Sequence, residues 1–254
     1  MSRHTTAAPR RFEVLVLVLL AGLGGLVLSA TIGDRTANGA VPTGTITHRP
    51  PPTAGVLGRE VCAGAGYLCA GLAERDEPRV LRWPDDTRTI RVGVPLPSGL
   101  EPARARALQD AVAAGILAWQ DKPFRIQIDR TGFGEPDFVV RWSTLLEGNQ
   151  LGRTRTRWVR EADGTTGMRV TELIVVHRDP YDATRPLNPA SVQLTAAHEM
   201  GHALGLPHSD SERDVMYPTN TATALSARDY TTMSALYRLE NGALLELEQA
   251  AADD

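Results

Sequence analysis

The segment His198-Glu-Met-Gly-His202-Ala-Leu-Gly205-Leu-Pro-His208 sets two imidazoles four residues apart and a third just beyond a glycine. On an α-helix four residues advance about 400°, so His198 and His202 lie about 40° apart and one turn up, close enough to share one metal ion. Gly205 can take a left-handed conformation without steric cost, which ends the helix and lets His208 swing back toward the same point. Three nitrogen ligands on a tetrahedral zinc leave the fourth position for water, the arrangement of a catalytic rather than a structural site. Glu199 follows the first ligand without being one, so its carboxylate can take a proton from a zinc-activated water and hand it to a leaving amine. The chemistry implied is peptide hydrolysis, with His198, His202 and His208 as metal ligands and Glu199 as general base. A lone helical histidine is usually a surface or satisfied core residue; three at this spacing, with the glutamate and glycine, are not read that way. His177, ending a strand, reads as a capping or surface residue rather than a ligand.

These residues resemble the HExxHxxGxxH signature of the metzincins, and Val215-Met-Tyr-Pro218 resembles their Met-turn. With Arg82-Trp83, Leu225-Ser-Ala-Arg-Asp229 and Leu236-Tyr237, the resemblance is to matrixins and spans residues 80–240. It implies a zincin-like α+β fold: a mixed five-stranded sheet with an active-site helix and a C-terminal helix. It also implies one catalytic zinc ion, a protein or peptide substrate, and Met216 as a buried floor beneath the ion. Some features depart from the family. Only His177 stands in the loops before the active helix, so no second zinc is expected, and calcium is left unassigned. Pro218 occupies the place where some other metzincins have a tyrosine ligand, and Asn220 the place where many matrixins have an aromatic at the main specificity pocket. No PRCGxPD-like stretch precedes the domain, so nothing supports inhibition by a propeptide thiol.

The elements that must position these residues are legible in outline. Thr89–Val94 alternates like a strand, and Pro102–Gln120 carries Leu108, Val112, Ile116 and Trp119 at helical spacing. Phe124–Asp129 and Asp137–Trp142 read as strands, and Leu151–Val159 with Met168–His177 as a hairpin around Asp163-Gly164. Asn188-Pro189 offers an N-cap and a first-turn proline for a helix through Leu204. Ser226-Ala-Arg-Asp229 resembles a capping box opening a last helix. Within Leu151–Trp158 the alternation puts Arg153, Arg155 and Arg157 on one face and Thr154, Thr156 and Trp158 on the other. In matrixins this strand edges the cleft, so the arginine face is either simply solvated or a draw for substrate carboxylates.

The whole chain has 254 residues and a formal charge of −3. With no extended basic run beyond the N-terminus, nucleic acid is not expected as a partner. Residues 1–33 read as a cytoplasmic stub and a signal or transmembrane segment: Arg3, Arg10 and Arg11 precede an apolar run from Val14 to about Ile32. Everything after it is then extracytoplasmic, either anchored in the membrane by that helix or secreted after its removal. Residues 34–79 form a Pro/Thr/Gly-rich spacer with a cysteine pair, Cys62 and Cys69, for which a disulfide is favoured over a zinc-blocking thiol. Residues 80–240 form the catalytic domain and 241–254 a tail with no obvious partner; a monomer is expected. Two rivals stand beside the general endopeptidase. One is a zinc-stabilised binding module, whose mark would be a lost Glu199 or third histidine; the other is an enzyme confined to its own spacer or a neighbouring membrane protein.

Overall fold

The structure, a computed structural model, describes residues 45–47, 55–75, 78–132, 134–160 and 166–246. The N-terminal apolar run, the rest of the spacer and the Asp163-Gly164 turn lie outside the described residues. Among the described residues, no helix is long and apolar enough to cross a membrane.

In chain order the elements are β1 (Thr45–Thr47), β2 (Val56–Leu57), α1 (Leu68–Ala73), β3 (Thr89–Gly93), α2 (Pro102–Leu117), β4 (Arg125–Asp129), β5 (Phe138–Ser143), β6 (Gly152–Arg160), β7 (Thr166–Val176), β8 (Arg178–Asp179), β9 (Asp182–Pro186), α3 (Pro189–Ala203), α4 (Ala227–Leu236) and β10 (Leu244–Leu245). Strands β3 to β7 make the expected mixed sheet in the order β6-β7-β5-β3-β4. β4, β3, β5 and β7 run parallel, with α2 as the crossover between β3 and β4; β6 turns back antiparallel to β7. A sixth strand, β1, was not anticipated. It pairs antiparallel with the outer side of β6 over Trp158–Arg160, leaving the outer edge from Gly152 to Arg157 unpaired among the described strands.

The alternating residues of the sheet and the helical stripes meet in one core. Ile90 and Val92 of β3, Val140 of β5, Leu173 and Val175 of β7, Leu108, Val112 and Ile116 of α2, and Val192, Ala196 and Met200 of α3 are fully enclosed in it. At about 25 cal/mol per Å² of apolar surface, this burial is the main force holding α3 against the sheet.

Two parts of the chain differ from the expectation. Inside the segment read as a spacer, Tyr67, Leu68 and Leu72 are buried in the same core, because Leu68 and Leu72 share one face of α1. Cys62 and Cys69 are bonded as a disulfide that staples this turn, with Cα atoms 5.7 Å apart. At the other end the tail begins as structure: β10 pairs parallel with β2, and Ala243 and Leu245 are buried.

Candidate metal centre and cleft

Helix α3 starts where the sequence places it. The Asn188 side chain accepts from the Ala190 N–H at 3.0 Å, and Pro189 fills the first turn, where its missing donor costs nothing. The helix ends in a Schellman motif: the Leu206 N–H reaches the Gly201 carbonyl at 3.0 Å and the Gly205 N–H reaches that of His202 at 2.9 Å. Gly205 has φ 100°, and a β-carbon there would lie 2.2 Å from the Leu81 carbonyl oxygen, so both backbone and space demand glycine. The last carbonyls are not orphaned: Trp83 Nε1 donates to Ala203 O at 2.7 Å and the Tyr237 hydroxyl to Leu204 O at 2.8 Å.

The break returns His208 to the helix. One ligand atom from each of His198, His202 and His208 lies within 4.8 Å of the others. His198 Nδ1 is 2.8 Å from Val215 O and His202 Nδ1 is 2.9 Å from Leu206 O. A carbonyl can only accept, so these contacts put the proton on Nδ1 and leave Nε2 with a free lone pair. His202 Nε2 then faces His208 Nε2 at 3.2 Å. Tetrahedral zinc with Zn–N of about 2.0–2.1 Å holds its nitrogens about 3.3 Å apart, so the spacing fits a shared cation. Burial pulls His198 down to about 4 and His202 well below the ordinary imidazole value; His208, more exposed, is also lowered by burial. All three are therefore neutral ligands at neutral pH.

Glu199 is 5% exposed, and burial pushes its carboxyl up to about 7, a rise opposed by a hydrogen bond from Thr154. That hydroxyl donates to Glu199 Oε2 at 2.6 Å. A β-carbon at Gly152 would lie 2.4 Å from Oε1, so only glycine leaves room for the carboxylate there. A cavity of about 540 Å³ opens beside it, lined by Gly152, Thr195, His198, Glu199, Pro218 and Asn220 among others. Asn220 Nδ2 donates to Thr195 Oγ1 at 2.7 Å, which makes this wall polar.

The turn holding Met216 is fixed from below. Met216 is fully buried, and a β-carbon at Gly201 would collide with its sulfur at 2.2 Å, so the turn packs directly on the helix that carries the histidines. Val215, whose carbonyl orients His198, gives its N–H to Asp229 Oδ2 at 3.0 Å. Asp229 also accepts from Ser226 N at 2.8 Å and from the Tyr67 hydroxyl at 2.8 Å. Burial and this aspartate raise the Tyr67 pKa, so the phenol stays a donor. Asp214, 1% exposed, accepts from Ser209, Ser226 and Arg228 and ties the loop after His208 to α4. The Ser226–Asp229 capping box was legible in the sequence; the further partners of both aspartates were not.

With this geometry in view, residues 120–238 match the family model for matrixins. That stretch, a little under half of the chain, is matrixin-like. The chain is similar to the macrophage metalloelastase of Rattus norvegicus, 40% identical over 60 residues, a stretch that covers 21% of this chain and 13% of that protein. The sheet extends upstream of the matched residues, since β3 and the crossover helix α2 precede them.

Two sequence expectations are altered within the matched stretch. The arginine stripe of β6 faces away from the cleft. Thr154 turns inward to Glu199, whereas Arg153 and Arg155 lie 3.1 Å and 3.6 Å from Glu172, whose charge neutralises them in part. Period-two alternation makes the two faces exclusive, so this stripe does not line the cleft. His177 is neither a cap nor exposed: it is 6% exposed and packs edge-on against Trp142. Its Nδ1 has no hydrogen-bond partner among the described residues.

Proposed function

We propose that this domain is an extracytoplasmic zinc endopeptidase in which His198, His202 and His208 hold the ion and Glu199 is the general base. The observation that carries the reading is the convergence of three neutral imidazoles, two with Nδ1 anchored on carbonyls, beside a buried carboxyl poised at about 7. A zinc ion held by these three histidines would supply Lewis acidity toward the peptide carbonyl and lower the pKa of a bound water. Thr154 occupies Oε2 of Glu199, which leaves Oε1 to receive the proton and pass it to the leaving amine. The edge of β6 from Gly152 to Arg157, unpaired among the described residues, offers backbone donors and acceptors to an extended peptide, which holds the scissile bond over Glu199. The cavity walled by Thr195 and Asn220 receives a side chain next to that bond. The Cys62–Cys69 disulfide and the arginine-flanked apolar run, read as anchor or removable signal, support placement outside the cytoplasm.

The test is metal dependence. The exported protein, dialysed against zinc, should hold one ion per chain and cut an unfolded protein substrate. A chelator should abolish cleavage and zinc restore it, and His208→Ala should lose both metal and activity. Cleavage indifferent to the chelator, or protein that takes up no zinc, would contradict the reading.

A further inference from the structure

A second cavity lies on the far side of Thr154. It measures about 260 Å³ and is lined by Arg75, Leu81, Thr154, Thr156, Met168 and His202 among others. The first cavity meets β6 at Gly152 and is lined by Glu199, the second meets it at Thr154 and Thr156 and is lined by His202, so the two follow one another along the strand.

Arg75 reaches this cavity because α1 is fastened to the metal-binding loop. A β-carbon at Gly71 would lie 2.6 Å from both the His208 carbonyl oxygen and the Pro207 ring, so the helix backbone rests directly on that loop. The Cys62–Cys69 disulfide fixes the start of α1, and the Arg75 N–H closes its last turn on Leu72 O at 3.1 Å. The Arg75 side chain itself has no hydrogen bond or ion pair among the described residues. Burial alone lowers its pKa, with no carboxylate contributing, while Arg75 and Glu74 act on His208 with opposite signs and Arg75 acts on His202 as well. A half-buried guanidinium with five donors and no acceptor is costly, and an incoming carboxylate would satisfy it with paired hydrogen bonds.

We propose that Arg75 is a specificity residue that selects an acidic side chain in the peptide segment lying over Thr154 and Thr156. The proposal rests on the endopeptidase reading above. The side of the scissile bond follows from β1, which joins the same edge of β6 antiparallel, entering at Arg160 and running toward Gly152. A peptide laid in that direction reaches the second cavity before the bond and the first cavity after it, so the acidic residue is on the N-terminal side. This replaces the β6 arginine stripe as a source of acidic preference with a cation that faces the cleft.

The experiment uses the zinc-loaded full-length protein and peptides of one parent sequence carrying Glu, Gln or Lys at each of the three positions before the cleaved bond. At one position kcat/KM should favour Glu over Gln by about tenfold, the scale of one charge-assisted hydrogen bond, and place Lys last. Arg75→Gln should bring the Glu-to-Gln ratio to about one, Arg75→Lys should restore part of it, and Arg75→Glu should invert the order toward Lys. Zinc content and thermal unfolding verify that each variant folds. Should Arg75→Gln fail to fold, the unaltered protein decides: the preference should shrink between low and high salt. Equal cleavage of Glu and Gln peptides by the unaltered protein, or a preference that survives Arg75→Gln or is insensitive to salt, overturns the proposal. Failure of the zinc-loaded protein to cut any peptide instead removes the peptidase reading, and this proposal with it.

Discussion

Thr154 and Glu199 show how much of the chemistry depends on one hydroxyl. The Thr154 bond favours the ionised carboxylate, so Thr154→Val should raise the Glu199 pKa further. The acid limb of the kcat/KM profile then moves to higher pH, measurable with a neutral peptide from pH 5 to 9. The same residues govern the stability of the zinc-free protein. Unfolded imidazoles take up protons near 6.5, whereas folded His198 does so only at about 4. Stability therefore falls as pH drops through that window, by on the order of 3 kcal/mol for this group. Glu199 acts oppositely: its folded pKa of about 7 lies above the unfolded value, so acidification from 7 to 4.5 returns stability lost by burying its charge. Glu199→Gln should make the zinc-free protein more stable at pH 8 and its decline toward pH 4.5 steeper, as read by denaturant titration. Within this site the three histidines, Glu199 and Gly205 were legible because helical spacing brings them together locally. Thr154 was not, since it meets Glu199 across 45 positions of chain.

Among the elements, Asp229 is the residue on which α4, the Met216 turn and α1 converge. Replacing it by alanine strands the N–H groups of Val215 and Ser226 and the Tyr67 hydroxyl, each previously bonded to a charge. The loss should be about 3 kcal/mol or more in a chemical denaturation experiment. Zinc affinity should fall as well, by about 10- to 100-fold, because Val215 is the group that orients His198. A variant that lost stability but kept its zinc affinity would separate the turn from the ligand. Ser226-Ala-Arg-Asp229 gave away the start of α4 because a capping box is a short-range pattern. The Tyr67–Asp229 bond spans 162 positions and leaves no local trace. The β6 alternation was similarly half readable: the pleat separates Arg153 from Thr154, but which face meets α3 is decided by packing.

On the scale of the whole molecule, the ends of the described chain complete the core rather than trailing from it. The glycines and prolines that made residues 34–79 read as a spacer hide one short helix, whose Leu68 and Leu72 only acquire meaning against a core built elsewhere. The loop closed by Cys62 and Cys69 is short, with a sequence separation of 7. Opening it in a Cys62→Ser/Cys69→Ser variant should cost about 2 kcal/mol of stability. Thermal unfolding of the oxidised protein and the double variant measures this, and equal transitions would show that core packing alone holds α1. The central claim is that this assembled framework presents Glu199 to a zinc-activated water, and one paired measurement on Glu199→Gln tests it most directly. Metal content and cleavage of an unfolded protein are read on the same sample. The prediction is one zinc per chain, as in the unaltered protein, with cleavage reduced on the order of 10³-fold. A zinc-loaded Glu199→Gln protein that cleaves at the unaltered rate would contradict it.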